Sequence, residues 1–119
     1  MKTVFVVDDS DTNLAMAEEA LEDQFRVMTI PSAEKMFSLL EKMMPDLILL
    51  DIEMPEMNGF EALEKLKANN AWLGIPVVFL TGTTDAAIEE RSAKLGAVGL
   101  VTKPFSPSAL LDRVNAHII

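Results

Sequence analysis

The 119-residue chain contains no cysteine. That absence excludes disulfide staples, thiolate nucleophiles and cysteine-ligated metal, and it permits a reducing compartment, in keeping with a cytoplasmic protein. Basic residues are scarce. Ten Lys and Arg face 19 Asp and Glu, for a formal charge of −9, which argues against direct binding of this domain to nucleic-acid phosphates. Long apolar runs are missing too: no stretch approaches the ~20 residues of a membrane span. The N-terminus offers only Lys2 and the apolar run Val4 to Val7 before two aspartates, which is not the pattern of a signal peptide. The single histidine, His117, falls on the last turn of the last helical segment with no acidic or histidine neighbour in sequence. It reads as a solvated surface residue, not a ligand.

What the chain does have is a stretch around which the rest can be organised, Asp46-Leu47-Ile48-Leu49-Leu50-Asp51-Ile52-Glu53-Met54-Pro55. Its apolar run is too short for an independent helix and lacks helical periodicity, but suits a strand buried on both faces of a parallel sheet. The carboxyl end of that strand delivers Asp51. An isolated buried charge costs several kcal/mol unless something pairs with it, and strand ends in open α/β sheets are where ligands bind.

In chain order, Thr3 to Val7 reads as a strand ending in Asp8-Asp9, followed by the N-cap run Ser10-Asp11-Thr12 and a helix with Leu14, Ala17 and Leu21 on one face. Phe25 to Ile30 is a second strand. Pro31-Ser32 opens a helix burying Ala33, Met36, Phe37 and Leu40, which Pro45 is expected to end. After the Asp51 strand, the loop Met54 to Gly59 leads into a helix with Phe60, Leu63 and Leu66 inward, closed by Asn69-Asn70. Pro76 to Leu80 is a fourth strand. Thr83 or Thr84 caps the next helix, which runs to Gly96 as a C-terminal stop; its apolar stripe is little more than Ile88 and Leu95, interrupted by Arg91 and Ser92. Val98 to Thr102 is the fifth strand. Lys103-Pro104-Phe105 follows, then Ser106 as cap, Pro107 at the first helical position, and a last helix with Leu110, Leu111, Val114 and Ile118 inward. Trp72 is a partly packed loop anchor. The methionines mostly occupy core-type positions; Met16 is the exception and lies off the helix-1 stripe, where a partner contact competes with an incidental surface position. Residues 1–119 thus form a single α/β domain, a doubly wound five-stranded parallel sheet in a (βα)5 chain.

In such a fold every strand's carboxyl end lies on one edge, so Asp8 and Asp9, Asp51, Thr81 and Lys103 converge. Three carboxylates held close repel one another, and a hard divalent cation such as Mg²⁺ is the economical remedy. A lysine and a hydroxyl opposite suit the oxygens of a phosphoryl group, which leaves one carboxylate as nucleophile. Any of these residues alone has an ordinary reading: Asp8 and Asp9 as helix caps, Thr81 and Lys103 as surface residues. Only the common strand-end register promotes them to a site.

At these residues the chain resembles a response-regulator receiver domain of the chemotaxis-regulator type. The resemblance is carried by Val6-Val7-Asp8-Asp9, Pro45 to Asp51, Met54-Pro55 through Met57-Asn58-Gly59, Leu80-Thr81, Gly96-Ala97 and Lys103-Pro104-Phe105, in register along the whole chain. It implies a flavodoxin-like strand order 2-1-3-4-5 and Asp51 as acceptor of a phosphoryl group from a partner phosphohistidine, on a sensor histidine kinase or a histidine phosphotransfer protein of a two-component system or phosphorelay. It further implies Mg²⁺ held by Asp9 and Asp51 directly, by Asp8 largely through water and by the backbone carbonyl of Glu53. Thr81 becomes the switch hydroxyl, Lys103 the phosphate clamp, and Lys103-Pro104 a cis peptide. One position departs from the pattern, since Leu100 stands where the family usually has Tyr or Phe. Glu53 is at a position where receivers vary, and its carboxylate could touch the metal or its water.

Two rivals share parts of this inventory. A phosphatase of the haloacid dehalogenase type also uses an aspartyl phosphate, Mg²⁺, Thr and Lys, but wants Asp-x-Asp where this chain has Asp51-Ile52-Glu53 and lacks a cap domain. A degenerate receiver used as a binding scaffold is opposed by the intact Asp8, Asp9, Asp51, Thr81 and Lys103. The tail from Leu110 to Ile118 is similar to the ends of receivers that precede domains making or degrading cyclic di-GMP, so the chain reads equally as the N-terminal domain of a longer protein, as a homodimer's protomer or as a free-standing receiver.

Overall fold

The computed structural model describes residues 1–83 and 85–118. Strands β1 (Thr3–Val7), β2 (Arg26–Ile30), β3 (Leu47–Asp51), β4 (Val77–Thr81) and β5 (Gly99–Thr102) alternate with helices α1 (Asp11–Leu21), α2 (Ala33–Leu40), α3 (Gly59–Lys67), α4 (Ala86–Leu95) and α5 (Pro107–His117). All pairings are parallel, in the order β2-β1-β3-β4-β5, the doubly wound flavodoxin-like arrangement. No helix among the described residues is long and apolar enough to cross a membrane.

The alternation of side chains along each strand builds two cores. Phe5, Val7, Ile48, Leu50, Val77 and Phe79 point to one face, where Met36 and Leu40 of α2 and Phe60, Leu63 and Leu66 of α3 cover them. Val4, Val6, Leu47, Leu49, Val78 and Leu80 point to the other, under Leu14, Ala17 and Leu21 of α1 and Leu110 and Val114 of α5. The central strands β1, β3 and β4 are buried from end to end, whereas the edge strands β2 and β5 are partly exposed. Each fully buried Leu or Ile of β3 contributes about 2 kcal/mol. Displacing β3 would disturb four such residues, Leu47 to Leu50, and Asp51 sits at its end.

Each helix begins on a side chain that satisfies an orphan amide. Ser10, Ser32, Asp85 and Ser106 accept from the third residue beyond them, and Asn58 forms a reciprocal box with Glu61 at 2.9 and 3.0 Å. The cap of α4 is thus Asp85, whose carboxylate takes the Ile88 amide at 2.8 Å, and not Thr83; Thr84 lies outside the described residues. α4 ends at Gly96, with φ 99°, as its place predicts.

Other expectations need correction. α2 stops at Leu40, well short of Pro45, because the Leu39 carbonyl accepts from both Lys42 and Met43 and closes the last turn. Phe37 is half-buried, with its ring 5.6 Å from Trp72, so the two aromatics cover each other at the margin of the core. α3 ends at Lys67, and the Asn69 side chain instead accepts from the Ala71 amide in the following turn. Leu111 and Ile118 are half-buried. Met1 and Met44 are exposed along with Met16. His117 is only partly exposed: its ring packs against β5, where a side chain on Gly99 would meet Nε2 at 3.1 Å. Nε2 is buried without a hydrogen-bond partner among the described residues.

Candidate functional site

The register of the sheet aligns the strand ends: Val7 lies opposite both Ile30 and Leu50, Asp51 opposite Leu80, and Thr81 opposite Thr102. Asp8, Asp51, Thr81 and Lys103 consequently emerge on one edge, each at or one residue past the end of its strand. The first three are fully buried. Asp9 is exposed at the rim, and Asp8, Asp9 and Asp51 each offer a carboxylate oxygen within 4.8 Å of the others.

Each side chain is aimed by local bonds. Asp8 Oδ1 accepts from the Ser10 amide at 2.9 Å, at the start of α1, and Oδ2 accepts from Asn13 Nδ2 at 3.3 Å. Lys103 reaches back across the edge, with Nζ 2.9 Å from Asp51 Oδ1 and 3.4 Å from Asp8 Oδ2. Its own amide donates to the Thr81 carbonyl at 2.7 Å, which ties the root of the lysine to β4. The Lys103-Pro104 peptide is cis. Asp51 Oδ1 also takes the Glu53 amide at 3.3 Å. Oδ2 is buried and accepts nothing from the described residues. Gly59 lets α3 start directly against this strand end, since a Cβ there would lie 2.5 Å from the Asp51 carbonyl oxygen and 2.8 Å from Ile52 Cα.

Burial pushes the Asp51 carboxyl up from 3.8 to about 7, with the Asp8 and Glu53 charges adding to the rise and Lys103 opposing it. For Lys103 burial works the other way, but the hydrogen bond to Asp51 and the charges of Asp51 and Asp8 outweigh it and hold the ammonium above its ordinary value. A single lysine does not balance three carboxylates, so the edge favours cations.

Every residue singled out from the sequence is at this edge. Two contacts were not foreseen. Asn13 turns its amide to Asp8; the signal was its place one turn into the helix that Asp8 precedes. The Glu53 carboxylate accepts from the Thr81 hydroxyl at 3.0 Å, a contact across 28 residues with no local sequence signal.

A buried carboxylate beside a lysine, two further carboxylates and a hydroxyl at one sheet edge are consistent with a phosphoryl-accepting α/β module. The family model for the response regulator receiver domain matches residues 4–115. A probable cyclic di-GMP phosphodiesterase of Vibrio cholerae is 39% identical over 98% of this chain and 26% of its own length. The DNA-binding response regulator MtrA of Mycolicibacterium smegmatis is 33% identical over 97% of this chain and 50% of its own. Among solved structures, chemotaxis protein CheY4 of Vibrio cholerae superposes with a TM-score of 0.92 at 29% identity, covering 98% of both chains. This chain belongs to the response regulator receiver domain family and is a receiver domain of two-component signalling. It spans between a quarter and a half of the curated relatives named above.

Proposed function

We propose that Asp51 takes a phosphoryl group from a phosphohistidine on a sensor histidine kinase or histidine phosphotransfer protein. The observation that carries this is the Asp51 carboxylate itself, buried at a strand end with Oδ1 on Lys103 and Oδ2 without a donor among the described residues. An Asp51 oxygen attacks phosphorus as the N–P bond breaks; the electron pair leaves with the imidazole, which takes a proton, and Asp51 becomes an acyl phosphate. Lys103 is already within 2.9 Å of the attacked carboxyl and pairs with a phosphoryl oxygen as charge develops there. The Thr81 hydroxyl donates to a second phosphoryl oxygen.

The donor set fits a hard divalent cation, because it is all oxygen and includes a buried carboxylate oxygen with no hydrogen-bond partner among the described residues. Asp9 and Asp51 would hold Mg²⁺ directly, Asp8 largely through water, and the Glu53 carbonyl would join them; bound there, the ion offsets charge on the transferring group. In this reading the domain catalyses only its own phosphorylation and slow dephosphorylation. The names of the relatives, a DNA-binding regulator and a probable phosphodiesterase, support an effector domain elsewhere in a longer protein. With its charge of −9, the receiver itself is assigned no nucleic-acid or membrane contact, and it works in the cytoplasm.

Acetyl phosphate with Mg²⁺ tests the assignment. Intact-protein mass spectrometry should show one phosphoryl group on the wild type and none on Asp51→Asn, and equal labelling of the two proteins would refute it.

A further inference from the structure

The acceptor reading gives Glu53 only a backbone carbonyl to contribute, yet its side chain makes a specific contact of its own. Glu53 Oε1 lies 3.0 Å from Thr81 Oγ1. A threonine hydroxyl has one proton and two lone pairs. Here the Thr83 amide donates to the oxygen at 3.1 Å, and two acceptors lie within reach of the proton: Glu53 Oε1 and the Thr83 carbonyl, at 2.9 Å. A carboxylate forms roughly twice as strong a bond as a neutral carbonyl. Thr81 is fully buried, so no solvent competes and the surrounding partners set the direction of its hydroxyl. A phosphoryl oxygen on Asp51 can engage Thr81 only by taking that same proton.

We infer that the Glu53 carboxylate is a latch on Thr81, a positioning residue that holds the switch hydroxyl before phosphorylation and competes with the phosphoryl group for its proton. The inference rests on the acceptor reading of Asp51. Glu53 also carries a negative charge that an incoming phosphoryl group must meet, so charge and hydrogen bonding have to be separated. Glu53 is exposed, and its replacement leaves the core intact.

The test is the affinity of the whole domain for beryllofluoride, a phosphoryl mimic, with Mg²⁺, followed by fluorine NMR. Glu53→Gln removes the charge and leaves a neutral acceptor oxygen, no stronger than the Thr83 carbonyl; Glu53→Ala removes both. With Thr81 in place both variants should bind more tightly than wild type. That gain should exceed by about tenfold the gain the same substitutions give in a Thr81→Val background, which removes the hydroxyl at constant volume. The charge effect is common to both backgrounds, and the factor is the equivalent of about 1.4 kcal/mol. Without beryllofluoride, both variants should shift the Thr81 methyl resonance. Equal gains in the two backgrounds would overturn the latch and leave a pure charge effect. A wild-type domain that takes up no beryllofluoride would overturn the acceptor reading, and the latch with it, so the two failures are told apart.

Discussion

Replacing Asp51 by Asn should stabilise the metal-free domain even as it abolishes phosphorylation. The carboxyl titrates near pH 7 in the folded protein and near 3.8 when the chain is unfolded. A folded-state value raised in this way means that ionised Asp51 opposes folding. Its contribution is neutral below pH 4, where the carboxyl is protonated in both states. Stability is then lost as pH rises toward 7, because the folded state holds a proton that the unfolded state has released. Each tenfold change in proton affinity is worth about 1.4 kcal/mol, so the full loss is about 4 kcal/mol above pH 7. An asparagine amide never ionises, and its NH2 group can donate to the neighbouring carboxylates. Against this, Lys103 loses its 2.9 Å partner and keeps only Asp8 at 3.4 Å.

The net gain for Asp51→Asn at pH 8 in EDTA should therefore be about 2–4 kcal/mol, or roughly 10 °C in melting temperature for a domain of this size. Urea denaturation of both proteins across pH 4 to 9 checks the shape of the effect as well as its sign: the gap should be absent at pH 4, open through pH 5 and 6, and level off above pH 7. Mg²⁺ should then raise the wild type by about 2.7 kcal/mol at a hundredfold excess over Kd, and the variant by less, since it has lost a ligand charge. The gap narrows with metal. A variant less stable than wild type at pH 8 in EDTA would mean that Asp51 is a structural, hydrogen-bonded carboxylate, and the electrostatic basis of the site would fall.

Gly59→Ala should cost about 2–4 kcal/mol in urea denaturation and slow labelling by acetyl phosphate, because the added methyl meets the Asp51 carbonyl at 2.5 Å; a neutral result would show that the start of α3 can back away freely. Arg91→Ala should cost about 1 kcal/mol through loss of its guanidinium from the Phe60 ring, 4.1 Å away, and should speed amide hydrogen exchange in α4 but not in α1 or α5. Met16→Ala, at an exposed position on α1, should slow transfer from a cognate phosphohistidine protein while leaving acetyl phosphate labelling unchanged. Equal slowing of both would make Met16 structural.

The parts of this molecule that could be read before folding are those governed by short-range pattern. Leu47 to Leu50 have no helical period and so had to be a doubly covered strand, and once five such strands alternate with helices, chirality brings Asp8, Asp51, Thr81 and Lys103 to one edge. The places where reading went astray are decided by contacts that pattern does not encode. Pro45 is a strong stop signal, but the Leu39 carbonyl had already closed α2. Asp85 outcompetes Thr83 as a cap because a carboxylate accepts more strongly from the helix amides and suits the positive end of the helix. His117 looked solvated because no acidic or histidine residue neighbours it in sequence, whereas the room for its ring comes from Gly99, on a different element.

The same logic bears on how events at Asp51 reach the rest of the surface. α4 is the least anchored helix: Ser92 is its only buried residue, and that hydroxyl is spent on the Ile88 carbonyl at 2.7 Å. Packing against β5 is correspondingly thin, with Leu100 half-buried at the position where the family usually has an aromatic ring. A leucine lacks the ring and reach with which Tyr or Phe would follow the movement of Thr81. Two routes join α4 to the site: Thr83, two residues before the Asp85 cap, bonds Thr81 Oγ1 through both its amide and its carbonyl, and a chain of contacts runs along the β3–α3 side. Gly59 abuts the Asp51 backbone, Phe60 is the next residue, its ring stands edge-on to Phe79 of β4 at 5.4 Å, and Arg91 of α4 lies over the same ring. Phe60 is held on two sides by the sheet and by α3, so it does not move independently of the strand end. The Arg91 contact is worth about 1 kcal/mol and stands beside the partly buried Ile88 and Leu95, which pack on the same core. The helix with the least buried surface is thus attached through the Thr83 turn, through Ile88 and Leu95, and through an arginine on an aromatic face, with no aromatic on β5 to take part, and thin attachment of this kind is what a switching element requires.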